Sequence, residues 1–228
     1  MKELTNTALI QKYLRETGFQ EYFSFPIQSY LKLYRVESEE YIFSNYGINT
    51  NLVYLVNGLT KLTRSLRGGE RSIIDFPTAP FLFGEMELFT KNYRTIECRA
   101  ITRCDYFVMP FLPIKSQLLS DCKFLNFVCS RLAAKERQKT DLMIFNSIYP
   151  LQERFAFHLL NWATEDGLYR ISPTDTAIHL GCTERHLLRV ISHFIQNGYM
   201  KKAPRGYQIL NSEALEQLSS NVDVGDWE

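Results

Sequence analysis

The sequence predicts an α+β chain: an antiparallel β-barrel or sandwich, then one long helix, then a small helical domain that carries a β-hairpin. Three observations lead there. Short β-rich runs recur between turn signals from about Leu31 to Pro110, a four-three spacing of apolar side chains follows from Ile114, and helical periodicity dominates from Leu151 onward.

Ahead of the β-rich region, Leu4, Ala8, Ile10, Tyr13 and Leu14 fit one face of a short amphipathic helix from Thr5 to about Gly18. The strands then follow: Tyr41-Ile42-Phe43 before Asn45-Tyr46-Gly47, Leu52 to Val56 before Asn57-Gly58, Leu59 to Leu66 before Arg67-Gly68-Gly69, and Ile73 to Phe76 before Pro77. Asn-Gly and Gly-Gly supply the positive φ that tight antiparallel connections need, whereas a helix would be broken at each of them.

Leu118, Cys122, Leu125, Cys129 and Leu132 have the spacing of a coiled-coil seam. A helix of roughly thirty residues, stopped by Pro150, would run about 45 Å, more than one small domain covers. The seam is therefore expected to meet its copy in a homodimer; the alternative is a helix lying across its own β-domain. The expected domains are residues 1–112, 113–148 and 149–228.

With 228 residues, 45% hydrophobic and 22% charged, the chain suits two folded domains and excludes a disordered or fibrous protein. No apolar run is long enough for a membrane span and no secretory signal is visible, so a cytoplasmic protein without a membrane partner is expected. Five cysteines without a Cys-x-x-Cys pair read as reduced, buried thiols. The chain lacks a nucleophile elbow, a Walker loop, a dinucleotide fingerprint and a zinc-protease helix, so it is not expected to be an enzyme. A net charge of +1 decides nothing about nucleic acid, because basic groups can gather on one surface.

The segment Thr174 to Ile191 carries the most functional information. Two helices crossing steeply need a small residue where they touch and a glycine at the turn; Ala177 and Gly181 supply them. Thr183 is a fitting N-cap for the second helix. Leu187, Leu188, Val190, Ile191, Phe194 and Ile195 make its buried stripe, which leaves Glu184, Arg185, Arg189, Ser192 and Gln196 on the other side. A polar face with two arginines one turn apart suits the major groove of double-stranded DNA, where a guanidinium donates twice to guanine and a carboxylate accepts from cytosine. Beyond it, Lys201, Lys202 and Arg205 surround a hairpin with Pro-Arg-Gly at its tip, a wing fit to hold phosphate. His179, His186 and His193 lack partners at metal-ligand spacing and read as solvated or DNA-contacting.

Taken together, Ser72 to Phe76, Ala79-Pro80 and Phe83-Gly84-Glu85-Met86-Glu87-Leu88, with Leu180-Gly181-Cys182, Arg185 to Leu188, Phe194 to Gly198 and Gly206-Tyr207, resemble the Crp/Fnr regulators, most of all their YeiL-type members. The resemblance covers nearly the whole chain. It implies an N-terminal β-roll of the jelly-roll, cyclic-nucleotide-binding-like kind, a dimerisation helix and a C-terminal winged helix-turn-helix. It also implies a homodimer on an inverted-repeat operator, with RNA polymerase as a further partner. By position Glu184, Arg185 and Arg189 match the family's base-reading residues, with Thr183 and His186 alongside.

In nucleotide-binding members, Phe-Gly-Glu and a later Arg-Ser/Thr-Ala hold the ligand. Gly84, Glu85, Arg94 and Thr95 match, and Thr140 falls where adenine is contacted. Glu87 replaces a small residue and Ile96 an alanine, departures that favour a different small effector or none. No resident cofactor is expected. Cys122 and Cys129, seven residues apart on one seam, offer a redox alternative through a cross-chain disulfide or a cluster, although core packing is the expected role of the thiols. The rival function is an effector-binding or redox-sensing module with weak or no DNA binding.

Overall fold

Leu52-Val53-Tyr54-Leu55-Val56 is apolar without alternation because the strand it forms is covered on both faces. A computed structural model describes residues 1–44, 49–65, 71–90 and 96–220. Asn45-Tyr46-Gly47 and Arg67-Gly68-Gly69, read as turns, lie outside the described residues. The chain divides into two units, Met1–Ala133 and Ala134–Glu228, so the division falls inside the long helix.

The first unit contains, in chain order, β1 (Lys2–Leu4), α1 (Thr7–Thr17), β2 (Lys32–Val36), β3 (Tyr41–Phe43), β4 (Asn51–Asn57), β5 (Thr60–Ser65), β6 (Arg71–Asp75), β7 (Phe81–Phe83), α2 (Glu85–Phe89), β8 (Glu97–Ala100), β9 (Cys104–Pro110), α3 (Lys115–Ser120) and the start of α4 (Cys122–Ile148). Its two antiparallel sheets have the orders β1-β2-β9-β4-β7 and β3-β8-β5-β6. Period-two alternation on β4 and β9 divides their side chains between two cores. Val53, Leu55, Cys104 and Tyr106 pack between the sheets with Leu62, Phe83 and Cys98. Leu52, Tyr54, Phe107 and Met109 turn outward, under Leu14, Phe19, Phe23, Phe124, Phe127 and Val128. Phe19 stacks on Tyr54 at 3.9 Å between ring centres, and Tyr22 on Phe127 at 3.9 Å.

A charged cluster ties α1 to this roll. Arg35 on β2 donates to both oxygens of the buried Asp105 carboxylate at 2.6 and 2.7 Å, and the Tyr13 hydroxyl adds 2.7 Å from α1. Burial alone would raise the Asp105 carboxyl, but Arg35 and Tyr13 outweigh it and hold it below the usual range.

The continuous helix expected from Ile114 is interrupted at Asp121. This buried carboxylate accepts from the Lys123 and Phe124 amides at 3.0 and 3.5 Å and from the Ser24 amide and hydroxyl at 2.7 and 2.6 Å, which caps α4 and ends α3. Leu118 thereby falls on the shorter helix and is fully buried in the outer core, so it is not part of an exposed seam. Along α4, Phe124, Phe127 and Val128 cover the roll, as in the alternative reading of this helix, while Cys122 and Cys129 are exposed on another face. The expectation of buried thiols therefore holds for Cys98 and Cys104 and is corrected for Cys122 and Cys129. Burial pushes the Cys104 thiol up to about 12 and raises Cys98 as well, which leaves both protonated and unreactive.

The second unit holds the end of α4, then α5 (Leu151–Trp162), β10 (Leu168–Tyr169), α6 (Pro173–His179), α7 (Glu184–Gln196), β11 (Met200–Ala203), β12 (Gly206–Ile209) and α8 (Ser212–Ser219). Its core is partly polar. His158 on α5 meets His179 on α6 at 3.1 Å and the Tyr169 hydroxyl at 2.9 Å, and that hydroxyl lies 2.6 Å from Thr176. His179, read as solvated or DNA-contacting, is therefore a core residue, 4% exposed. Burial lowers His179 to about 4 and His158 well below its ordinary value, so both rings are neutral in the fold.

Two predictions follow from these clusters. Asp105→Asn should lower the urea stability of the first unit by about 2–4 kcal/mol at neutral pH. Because the folded carboxyl titrates below the unfolded one, its contribution is present above pH ~4 and fades below it, a fall that the variant should lack. For the histidines the folded values lie below about 6.5, so stability is full above that pH and fades as protons bind the unfolded chain; at pH 5 His179 alone should cost the second unit about 2 kcal/mol. Melting monitored by tryptophan fluorescence between pH 7.5 and pH 5 checks the second; no drop in that interval would contradict it.

Candidate nucleic-acid interface

The Ser172 hydroxyl caps α6 by accepting from the Asp175 amide at 3.1 Å, with Pro173 at the first helical position. At its other end the Gly181 amide donates to the Ile178 carbonyl at 3.2 Å and the Cys182 amide to the Ala177 carbonyl at 3.0 Å. This paired closure requires a left-handed residue, and Gly181 has φ 61°. Two remaining carbonyls of the turn are met from outside the motif: Asn146 Nδ2 donates to His179 O at 3.0 Å, and Arg154 Nη1 donates to Leu180 O. Arg154 also donates to Asn146 Oδ1 at 3.1 Å.

Thr183 then caps α7, its hydroxyl accepting from the His186 amide at 3.3 Å. Leu187, Val190, Ile191 and Phe194 are buried, and Phe194 packs against Phe155 and Tyr199, both at 5.4 Å between ring centres. Every residue expected to meet DNA here is exposed: Thr183, Glu184, Arg185, His186, Arg189 and Ser192. Most of them line one open depression with His193 and Gln196. Glu184 is held in place, since its Oε2 accepts from the Thr174 hydroxyl on α6 at 2.9 Å. Leu188, assigned to the buried stripe, is 41% exposed and belongs to this outer face, and Ile195 is only half-buried.

β11 and β12 form the expected hairpin, with Lys202 opposite Tyr207 and Ala203 opposite Gly206, and β10 completes the sheet. Gly206 has φ 131°, and a Cβ there would lie 1.9 Å from the Tyr169 carbonyl oxygen, so only glycine lets β12 approach. Lys201, Lys202 and Arg205 are all exposed.

The other expected sites are placed more sparsely. Gly84 has φ 90° and no room for a Cβ, which would lie 2.1 Å from the Asn51 carbonyl oxygen; Glu85 follows it, buried, in the first turn of α2. Arg94 and Thr95 lie outside the described residues. Thr140 is exposed on α4, its hydroxyl donating to the Glu136 carbonyl at 3.1 Å. Of the seam, Leu125 and Leu132 are half-buried against the outer core, and Cys122 and Cys129 are exposed. Sequence reasoning missed Asn146, Arg154 and His158, whose partners are brought to them only by folding, and it missed Asp121, for which an acidic cap ahead of an apolar run was the available signal.

Residues 33–119 match the family model described as cyclic nucleotide-binding domain. The chain is 31% identical over 210 residues to Regulatory protein YeiL of Escherichia coli O157:H7, a match that spans 92% of this chain and 95% of that one. A crp/fnr-family transcriptional regulator from Eubacterium rectale has a similar fold, with TM-score 0.71 at 18% identity, covering 92% of this chain and 100% of that chain. A CRP-family transcriptional regulator from Thermus thermophilus gives TM-score 0.68 at 20% identity, over 84% of this chain and 100% of that chain. Among the described residues no helix is long and apolar enough to cross a membrane. With a β-roll, a long helix and an exposed cationic helix next to a basic hairpin, the chain belongs to the Crp/Fnr family of transcriptional regulators.

Proposed function

We propose that the protein binds an inverted-repeat DNA operator as a homodimer and regulates transcription in the cytoplasm, laying α7 of each protomer in one major groove. The observation that carries this reading is the two-sided α7: an apolar stripe fixes it to the domain, and Glu184, Arg185, Arg189 and Ser192 stand bare on the opposite side. Arg185 and Arg189 donate to base edges and Glu184 accepts from cytosine, with Thr183 and His186 alongside them, and Lys201, Lys202 and Arg205 hold backbone phosphates. Two-fold symmetry sets the half-sites about one DNA turn, roughly 34 Å, apart.

The reading assigns dimerisation to the exposed face of α4 at Cys122 and Cys129, with the half-buried Leu125 and Leu132 at its border against the outer core. The roll serves as the sensor. Gly84 allows the backbone to turn tightly into α2 and sets Glu85 at its first turn, where a carboxylate suits a hydroxyl or amine of a small effector other than a cyclic nucleotide. RNA polymerase is the partner that family membership suggests.

Electrophoretic mobility of promoter DNA tests the reading: binding should fall steeply as salt rises. Arg189→Ala should weaken the cognate site by roughly 1–3 kcal/mol and leave random DNA nearly unchanged, whereas Lys202→Ala should weaken both alike. Equal losses for Arg189→Ala on both probes would remove it from the groove. The paired change Cys122→Glu, Cys129→Glu alters only side chains exposed in the protomer. It should shift sedimentation from dimer to monomer and weaken operator binding roughly 100-fold as the second half-site is lost; an unchanged dimer would move the interface elsewhere.

A further inference from the structure

We propose that Leu188 reads a thymine 5-methyl group in each half-site, an assignment that rests on α7 being the groove-reading helix. Helical periodicity alone puts Leu188 beside Leu187 in the stripe, yet it is 41% exposed while Leu187 is fully buried. It stands one turn after Glu184 and one turn before Ser192 on the ridge that lines the open depression. Ser192 folds its hydroxyl back onto the Leu188 carbonyl at 2.9 Å, which keeps that polar group close to the helix and leaves the leucine protruding. Arg185 and Arg189 flank it on the same face.

A lone exposed leucine is ordinary on a protein surface. Here its position decides its use. Major-groove base edges present donors and acceptors at every pair, and the one apolar group among them is the thymine methyl. Leucine set against a guanine or cytosine edge would strip water from polar atoms and return no hydrogen bond, so the same side chain both selects thymine and rejects the alternatives. At 1.5 Å rise per residue Leu188 lies about 6 Å along the helix from Glu184, which assigns it a different base pair from the one Glu184 meets.

The test begins with selection of bound sequences from a random pool, followed by replacement of each selected thymidine by deoxyuridine, which removes the methyl and keeps the pairing. At one thymine per half-site the wild-type protein should lose about fourfold in affinity, or about fifteenfold when both half-sites carry uracil. Leu188→Ala should bind the thymine and uracil sites equally, and Leu188→Ser should relax the base preference at that position in a repeated selection. Because the side chain is exposed, both variants should melt with the wild type. A wild-type protein indifferent to uracil everywhere, or a Leu188→Ala variant that keeps the full penalty, overturns the assignment while DNA binding itself stands. A pool that yields no salt-sensitive binding overturns the reading of α7 and this assignment with it.

Discussion

The orientation of α7 rests on the burial of Leu187, Val190, Ile191 and Phe194 against the helical core of the second unit. Side chains on one helix face cannot be satisfied in water and in the core at once, so seating this stripe turns the opposite face outward without any further instruction. The wing depends on the same core. β12 runs close beside β10 only because Gly206 has no Cβ to strike the Tyr169 carbonyl, and Tyr169 is itself fixed by His158 and Thr176.

The helix-turn-helix is also held from behind. Short helices leave several carbonyls unpaired at their C-termini, and α6 has only seven residues to stabilise it. Its own turn meets two of these groups, and Asn146 with Arg154 meets two more. The end of α4 and the start of α5 thus set where α6 can stop, and through the Gly181 turn where α7 begins. A buried polar network of this kind is specific because each member needs its partner: a shifted α6 would leave His179 and Thr176 desolvated without compensation.

In the first unit the central strands serve two cores at once. β4 and β9 give alternate side chains to the inter-sheet core and to the outer core beneath α1 and α4, so the roll and the helices that cover it share the same two strands. The Arg35, Asp105 and Tyr13 cluster joins β2 and α1 through the carboxylate that β9 supplies.

Composition, turn residues and periodicity were enough to order the elements: the β-rich run, the long helix, the Ala177 and Gly181 turn, the Thr183 cap and the basic hairpin are local features, each written within a few residues. Tertiary structure decided what depends on neighbours distant in sequence. Periodicity could not tell Leu188 from Leu187, because a stripe has an edge and only the packed partners show where it lies. It could not see that Ser24 would join Asp121 to divide α3 from α4 and take Leu118 into the core, nor that His158 would claim His179. Local sequence determines which faces and breaks are available to a helix, whereas burial, which sums contributions from the whole chain, determines which of them are used.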